Sequence, residues 1–483
     1  MTRTGEWGPV QFIDAAGLAL LAVLLRIPAF LAPRALHFDD GGYALAAISM
    51  RSGRPPFQSV FSSQGPIFLQ VIHLFDLIGL QRLNSPRLGP VLAGAAIAVA
   101  AYRSAGMLTD RGGALLAGAL AASSGAVLWT TGPITGDGIA AAFGVWAVAE
   151  ALNYRTRPAT HRAVVVALLM AAAMATKSLL AAPAIGAAWF VVLERRRWRD
   201  VVWIPIGAVV TAVITAVPWG IRSVYEQSIA YHRTVDRLAG PLGNLHKAAR
   251  TLGDRDLTLL VLALLTLAIG AWHWARGERP AAEPGRDRFD RWFGGDRFAW
   301  WWLLAALVVV ATDLKLWRNH VSVLVPPIVL LVACRRPAWR VVAVVAIITV
   351  PVQFVMLRDL YDPQPYRGPA RVATEAAASI PARSWALSDT GGYIWRAGRA
   401  TAPWYVDPSI LRLDTPVSSL RITSASIANV AARPKFCLVL VTSPVRWGSL
   451  PDLPARLARS GYLRTERLGP GTLGVYRRPC RIR

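Results

Sequence analysis

Residues 201–221, Val-Val-Trp-Ile-Pro-Ile-Gly-Ala-Val-Val-Thr-Ala-Val-Ile-Thr-Ala-Val-Pro-Trp-Gly-Ile, carry no charged side chain. About 20 such residues wound as a helix cross the roughly 30 Å of hydrocarbon in a bilayer. A soluble core helix keeps a wider polar face than these two threonines provide. Similar uncharged runs, Leu257 to Ala275 among them, recur from residue 11 to residue 357. The chain of 483 residues is 54% hydrophobic and 17% charged, and this distribution predicts one α-helical polytopic membrane protein with about eleven transmembrane helices. The first run, Phe12 to Ala32, contains Asp14 and Arg26 and is followed by Pro33 and Arg34, not by a small-residue cleavage site. It is expected to stay as the first span.

The net charge of +25 does not point to nucleic acid, because Lys and Arg lie in short links with no aromatic-interleaved basic face. Anionic membrane lipids are the simpler partner. Only four of the 53 basic residues are Lys, a skew read as codon bias of a GC-rich genome. The three cysteines, Cys334, Cys437 and Cys480, have no metal-binding spacing. Pairing of Cys437 with Cys480 stays open, conditional on an oxidising compartment.

Arg-rich links mark the cytoplasmic side: Arg155, Arg157 and Arg162; residues 194–199; residues 276–297; and Arg335, Arg336 and Arg340. The alternate links then face out: Ala175 to Ser178, Arg222 to Asp256, Asp313 to His320, and everything after Leu357. Counting back places Thr131 to Gly138 outside and Tyr102 to Gly113 inside. With Arg3 ahead of the first helix, residues 33–65 are outside too. The apolar stretch Pro66 to Leu80 cannot then be a full crossing. It is short and carries His73 and Asp76, so it is read as a helix lying in or dipping into the outer interface.

These boundaries give a membrane domain over 1–357, with an outer catalytic loop at 33–86, and a small extracytoplasmic α/β domain over 358–483. Strand-like runs in the latter are Ser384 to Leu387, Phe436 to Thr442 and Gly474 to Tyr476.

The first outer link reads His37-Phe-Asp-Asp-Gly-Gly-Tyr-Ala44, followed by Phe61-Ser-Ser-Gln-Gly-Pro-Ile-Phe68. Asp39 and Asp40 suit a general base or a metal site; equally, either could cap a helix starting near Tyr43. Asp137, in Thr135-Gly-Asp-Gly138, falls on the same outer face and has the same two readings. Cations gather there as well: Lys177 in a short turn, Arg222 after Pro218-Trp-Gly220, and Lys315, Arg318 and His320 beside Asp313. Each has a structural alternative: a solvated loop lysine, an interfacial anchor, a salt-bridged turn. Together with carboxylates they suit a lipid phosphate as leaving group. Glu150, late in its helix, has no evident role.

The order of these motifs resembles the GT-C integral-membrane glycosyltransferases, the superfamily of protein O-mannosyltransferases and lipid A aminoarabinose transferases. It covers roughly residues 10–335, and the tail is similar to bacterial members only loosely. The resemblance implies a polyprenyl-phosphate-sugar donor and transfer of a hexose or pentose on the outer face of a bacterial plasma membrane. The acceptor would be a hydroxyl of a cell-envelope glycan, lipid or protein, attacked with inversion. It also implies Asp39 or Asp40 as the base. Asp137, Lys177, Arg222, Arg318, His320, Gln64 and Tyr43 would bind substrate. A divalent cation near Asp137 stays open, with no strong ligand cluster to hold it. This chain departs from the family in having Asp-Asp where Asp-Glu is common, and Gln64-Gly65-Pro66 where Lys-Pro-Pro or Gln-Pro-Pro is common. The alternatives are a lipid or polysaccharide transporter or flippase, and a non-catalytic envelope-assembly protein; no internal repeat supports the former.

Overall fold

The computed structural model describes residues 8–193, 198–233, 239–276, 297–335 and 337–480. Arg3, residues 194–197 and 277–296, and Arg336, used above to assign sidedness, lie outside the described residues. Helices follow one another as α1 (Pro9–Leu24), α2 (Phe38–Arg51), α3 (Pro66–Ile78), α4 (Leu88–Gly106), α5 (Arg111–Ser123), α6 (Gly125–Thr131) and α7 (Gly136–Thr156). Then come α8 (Thr160–Leu193), α9 (Trp198–Ala216), α10 (Pro241–Arg255), α11 (Leu257–Ala275), α12 (Arg297–Thr312), α13 (Val325–Cys334) and α14 (Trp339–Met356).

Among the described residues, four helical stretches are long and apolar enough to cross a membrane: 85–106, 160–193, 198–219 and 339–356. The pair α5 and α6, bent by 55°, makes a fifth if it is one span, and 9–24, 66–78, 257–269 and 298–312 are shorter apolar helices. Large apolar side chains stay exposed on α9 and α14, Ile214 and Ile347 among them, as lipid-facing helices require. The chain is a multi-pass membrane protein.

Charges inside the bundle are partnered, as the cost of an isolated ion in hydrocarbon demands. Asp14 accepts from Arg111 at 2.8 Å and from Tyr102 Oη at 3.0 Å. Arg26 donates to Thr131 Oγ1 at 2.6 Å and to the Ala22 carbonyl at 2.7 Å. Glu150, without a role in the sequence, pairs with Arg103 at 2.9 Å. The 13 residues of α3 reach only about 20 Å, and its buried Asp76 receives Arg51 at 2.6 and 2.7 Å.

The tail forms a four-stranded sheet of order β1-β2-β4-β3, with β1 (Trp385–Ser388), β2 (Phe436–Val441), β3 (Leu463–Arg467) and β4 (Gly474–Arg477). β1 and β2 are parallel and the other pairings antiparallel. Three strands fall on the strand-like runs read from the sequence. The fourth, Leu-Arg-Thr-Glu-Arg, is exposed along its whole length, and a charged edge strand has no hydrophobic pattern to reveal it. Cys437 and Cys480 are joined in a disulfide with Cα atoms 5.0 Å apart.

The tail packs directly on α2. A Cβ on Gly41 would lie 2.2 Å from the Gly392 backbone nitrogen, and one on Gly42 would lie 2.8 Å from the Val406 carbonyl oxygen. The Gly-Gly pairs at 41–42 and 391–392 thus allow backbone to meet backbone. Nearby, the buried Trp395 donates to the Leu83 carbonyl at 3.0 Å. Gly41→Ala is expected to destabilise the protein by about 1–3 kcal/mol through overpacking, despite the gain in helix propensity. Denaturant titration checks this, the tail becoming protease-sensitive first.

Candidate functional site

The site is built around the link 61–65, clasped between α2, α7, α8 and the tail. The adjacent Asp pair is split by the helix that carries it. α2 begins at Phe38, with His37 as the capping residue through its Nδ1, so neither Asp39 nor Asp40 is the cap and both sit in the first turn. Asp40 points inward and is fully buried. Its Oδ1 accepts from Arg87 Nε at 3.1 Å and Ile134 N at 3.0 Å; its Oδ2 accepts from Leu36 N at 2.9 Å and from Arg87 Nη2. Burial opposes this charge, and Arg87 more than offsets burial, holding the carboxyl below its ordinary value. Four donors leave Asp40 no lone pair for a substrate proton.

Asp39, half-buried, has no hydrogen-bond or ion-pair partner among the described residues. Its charge reaches the buried Asp407 of the tail, which burial and Asp39 together push up. Asp407 accepts from Ser63 Oγ at 2.9 Å. Ser63 Oγ lies 3.1 Å from the buried Tyr43 hydroxyl, which accepts from Gln64 Nε2 at 2.8 Å. The Gln64 Oε1, beside Gly136, is buried without a hydrogen-bond partner.

On the other side of the link stands a row of alternating charge. α8 consists of two helical halves meeting at Lys177, whose φ of −157° and ψ of 91° leave the helix. Gly65 fits into that break, donating to the Thr176 carbonyl at 2.9 Å where any Cβ would strike Ala175 O at 2.1 Å. Lys177 Nζ donates to Asp137 Oδ2 at 3.0 Å and lies 3.4 Å from His320 Nε2. His320 Nδ1 meets Asp313 Oδ2 at 2.5 Å, which fixes the ring. Asp137 Oδ1 is buried with no hydrogen-bond partner; the cap of α7 is Thr135, one residue before the helix. A narrow apolar groove runs from Asp137 between Ala141, Leu180, Ala184, Trp302 and Pro326.

Residues 63–221 match the family described as dolichyl-phosphate-mannose-protein mannosyltransferase. The whole chain superposes on ArnT from Cupriavidus metallidurans, in the apo state, with a TM-score of 0.61 at 14% identity, covering 94% of this chain and 96% of that one. The fold is that of the GT-C glycosyltransferases. ArnT bound to undecaprenyl phosphate gives 0.61 at 13% identity, over 97% of this chain and 98% of that one. The apo oligosaccharyltransferase of Archaeoglobus fulgidus gives 0.51 at 12%, over 97% of this chain and 74% of that one. No curated protein matches by sequence.

Within this GT-C fold, Asp39, Tyr43, Gln64, Asp137, Lys177 and His320 surround one link, and two expected residues stand apart. Arg222 is 91% exposed and bonds Glu226 at 2.8 Å, because Gly220, at φ 84°, turns the chain outward just before it. Arg318 is half-exposed and pairs with Asp254. The cation left open at Asp137 gains no ligand cluster: Lys177 donates to Asp137 Oδ2, and among the described residues no three His, Cys, Asp or Glu converge.

Sequence reasoning missed Ser63 and Asp407, and also His232, whose Nε2 lies 2.8 Å from the Ser63 carbonyl. Ser63 lies in the quoted Ser-Gln-Gly-Pro stretch but was not singled out there, and Asp407 and His232 sit in no motif. Burial drives the His232 pKa from 6.5 down to about 4, so the unfolded chain takes up its proton first. His232 keeps part of its surface exposed, so the stability held by its neutral form, present above pH 6.5 and lost as pH falls through about 4, is well below the full linkage value. Denaturation midpoints measured from pH 7 to 4 should fall in the wild type, with a shallower slope in His232→Gln.

Proposed function

We propose that this chain transfers a sugar from a polyprenyl-phosphate donor to a cell-envelope hydroxyl at the outer face of the membrane. The observation that carries the reading is the unpartnered Asp39 carboxylate across the 61–65 link from the Lys177–His320 pair, in a GT-C fold. Asp39 would take the proton of the acceptor hydroxyl as its oxygen attacks the anomeric carbon. The bond from that carbon to the phosphate oxygen breaks in the same displacement, inverting the centre, and polyprenyl phosphate departs. Lys177 and His320 offset the charge growing on the departing phosphate, as preorganised cations do.

The lipid chain would have to part the helices at the narrow apolar groove beside Asp137, whose own volume is about 20 Å³; ArnT, similar in fold, has been seen with undecaprenyl phosphate. Where family members often carry Lys-Pro-Pro or Gln-Pro-Pro, this chain has Gln64-Gly65-Pro66, and Lys177 stands against that glycine from the neighbouring helix. Asp40 would then serve by fixing the first turn of α2 through Arg87, not as the base.

Eleven crossings follow if each half of α8 crosses, α5 and α6 count as one span, and α3 stays at the outer interface. The domain boundary near residue 357 and an outward-facing tail belong to the same reading. The Cys437–Cys480 disulfide supports that placement, since such bonds persist in oxidising compartments. Mass spectrometry of lipids extracted from the purified chain tests the donor class. A polyprenyl phosphate or its sugar ester is expected in the wild type and depleted in Lys177→Met; only bulk phospholipid in both would contradict the reading.

A further inference from the structure

A second cavity, of about 510 Å³, opens where the first outer link meets the tail. Arg54, Arg421 and Arg433 stand around it, Trp404 and Tyr405 line it, and none of its lining residues is acidic. Among the described residues, none of the three guanidinium groups has a carboxylate within ion-pair distance. Arg54 and Arg433 are exposed, and Arg421 donates only to the Leu413 carbonyl, at 3.2 Å. Three like charges held together without a counter-charge repel one another, and a bound anion would relieve that repulsion. Guanidinium pairs match the oxygens of phosphate or carboxylate through two parallel hydrogen bonds. The size and the mixture of aromatic wall with a few polar groups are those of small-ligand sites.

The cavity is connected to the reaction centre by one short strip of backbone. Pro403 accepts a hydrogen bond from Phe61 N at 3.3 Å, Trp404 packs edge-on against Phe61 with centroids 5.7 Å apart, and Asp407 holds Ser63. Arg412, fully buried under Trp404 and Phe61, ties the strip down through the Trp404 and Asp407 carbonyls. A ligand in the cavity therefore lies at one end of the segment 403–407, whose other end, Asp407, bonds Ser63.

We propose that the cavity between Arg54, Arg421 and Arg433 binds an anionic saccharide, a sugar bearing phosphate or carboxylate, as the acceptor of the transfer. This rests on the glycosyltransferase reading for the word acceptor, and on the cavity alone for the anionic sugar. The charge anchors the saccharide while the aromatic pair meets its ring, so that a neighbouring hydroxyl extends toward Asp39.

Calorimetric titration of the full-length protein in detergent tests it, with glucose 1-phosphate, glucuronate, inorganic phosphate and glucose as probes. Both charged sugars are expected to bind at least about tenfold more tightly than glucose and than inorganic phosphate. Arg54→Ala/Arg433→Ala, in which neither lost side chain carries a hydrogen bond in the described structure, should remove the preference at an unchanged melting midpoint. Arg421→Lys should retain part of it. Equal binding of glucose and its phosphate, equal binding of inorganic phosphate, or undiminished preference in the double variant would overturn the proposal. Binding with the expected preference but no sugar transfer from any donor would instead overturn the glycosyltransferase reading and leave the cavity's ligand standing.

Discussion

Asn in place of Asp39 is expected to lower sugar transfer by about 10²–10⁴-fold, the range for removal of a general base, with little change in stability. The side chain is half-buried and has no partner among the described residues, so no packing or ion pair is lost with its charge. The donor lipid should still bind, because Lys177, His320 and the groove beside Asp137 are untouched. A loss confined to turnover, with co-purified lipid unchanged, separates a base from a residue that merely holds the site open. Asp39→Glu should recover part of the rate, since it keeps the carboxylate and displaces it by one methylene.

The neighbouring residue should behave in the opposite way. Asp40→Asn leaves the fully buried Arg87 without its counter-ion, and breaking a buried pair by removing one partner costs about 3–5 kcal/mol. Arg87 also donates to the carbonyls of Ala29 and Ala32 and lies over the Trp395 ring, so the damage reaches the segment that follows α1 and the docked tail together. Protein yield and unfolding midpoint are expected to fall before any catalytic effect can be read. The double variant Asp40→Asn/Arg87→Gln, which removes both charges, should be more stable than Asp40→Asn alone. A stable but inactive Asp40→Asn protein would return the base to that position.

Much of the helical architecture was legible because it depends on local composition: runs of apolar residues define helices, and the alternation of arginine links supplies the expected sidedness. The same alternation brought Asp137, Lys177 and His320 to one side, and the structure places these three in contact. What separates the surroundings of Asp39 from those of Asp40 is not local. Arg87 lies 47 positions away in sequence, and nothing in the Asp-Asp motif says which carboxylate it reaches. The glycines after the pair had no role in the sequence, whereas in the structure they admit Gly392 and Val406 of the tail. Asp407 was invisible for the same reason: only the docking of the tail sets it beside Ser63. Arg222 failed differently, since a basic residue at a helix end looks the same whether the next turn carries it inward or, as Gly220 does here, outward.

The most direct test of the central claim is turnover by the purified, reconstituted protein of a panel of polyprenyl-phosphate sugars, read as release of polyprenyl phosphate in the presence of an anionic saccharide acceptor. The wild type is expected to consume at least one donor with inversion at the anomeric carbon, and Asp39→Asn to consume it at about one hundredth of that rate or less. Equal release by wild type and Asp39→Asn, or a product with retained anomeric configuration, would contradict the account.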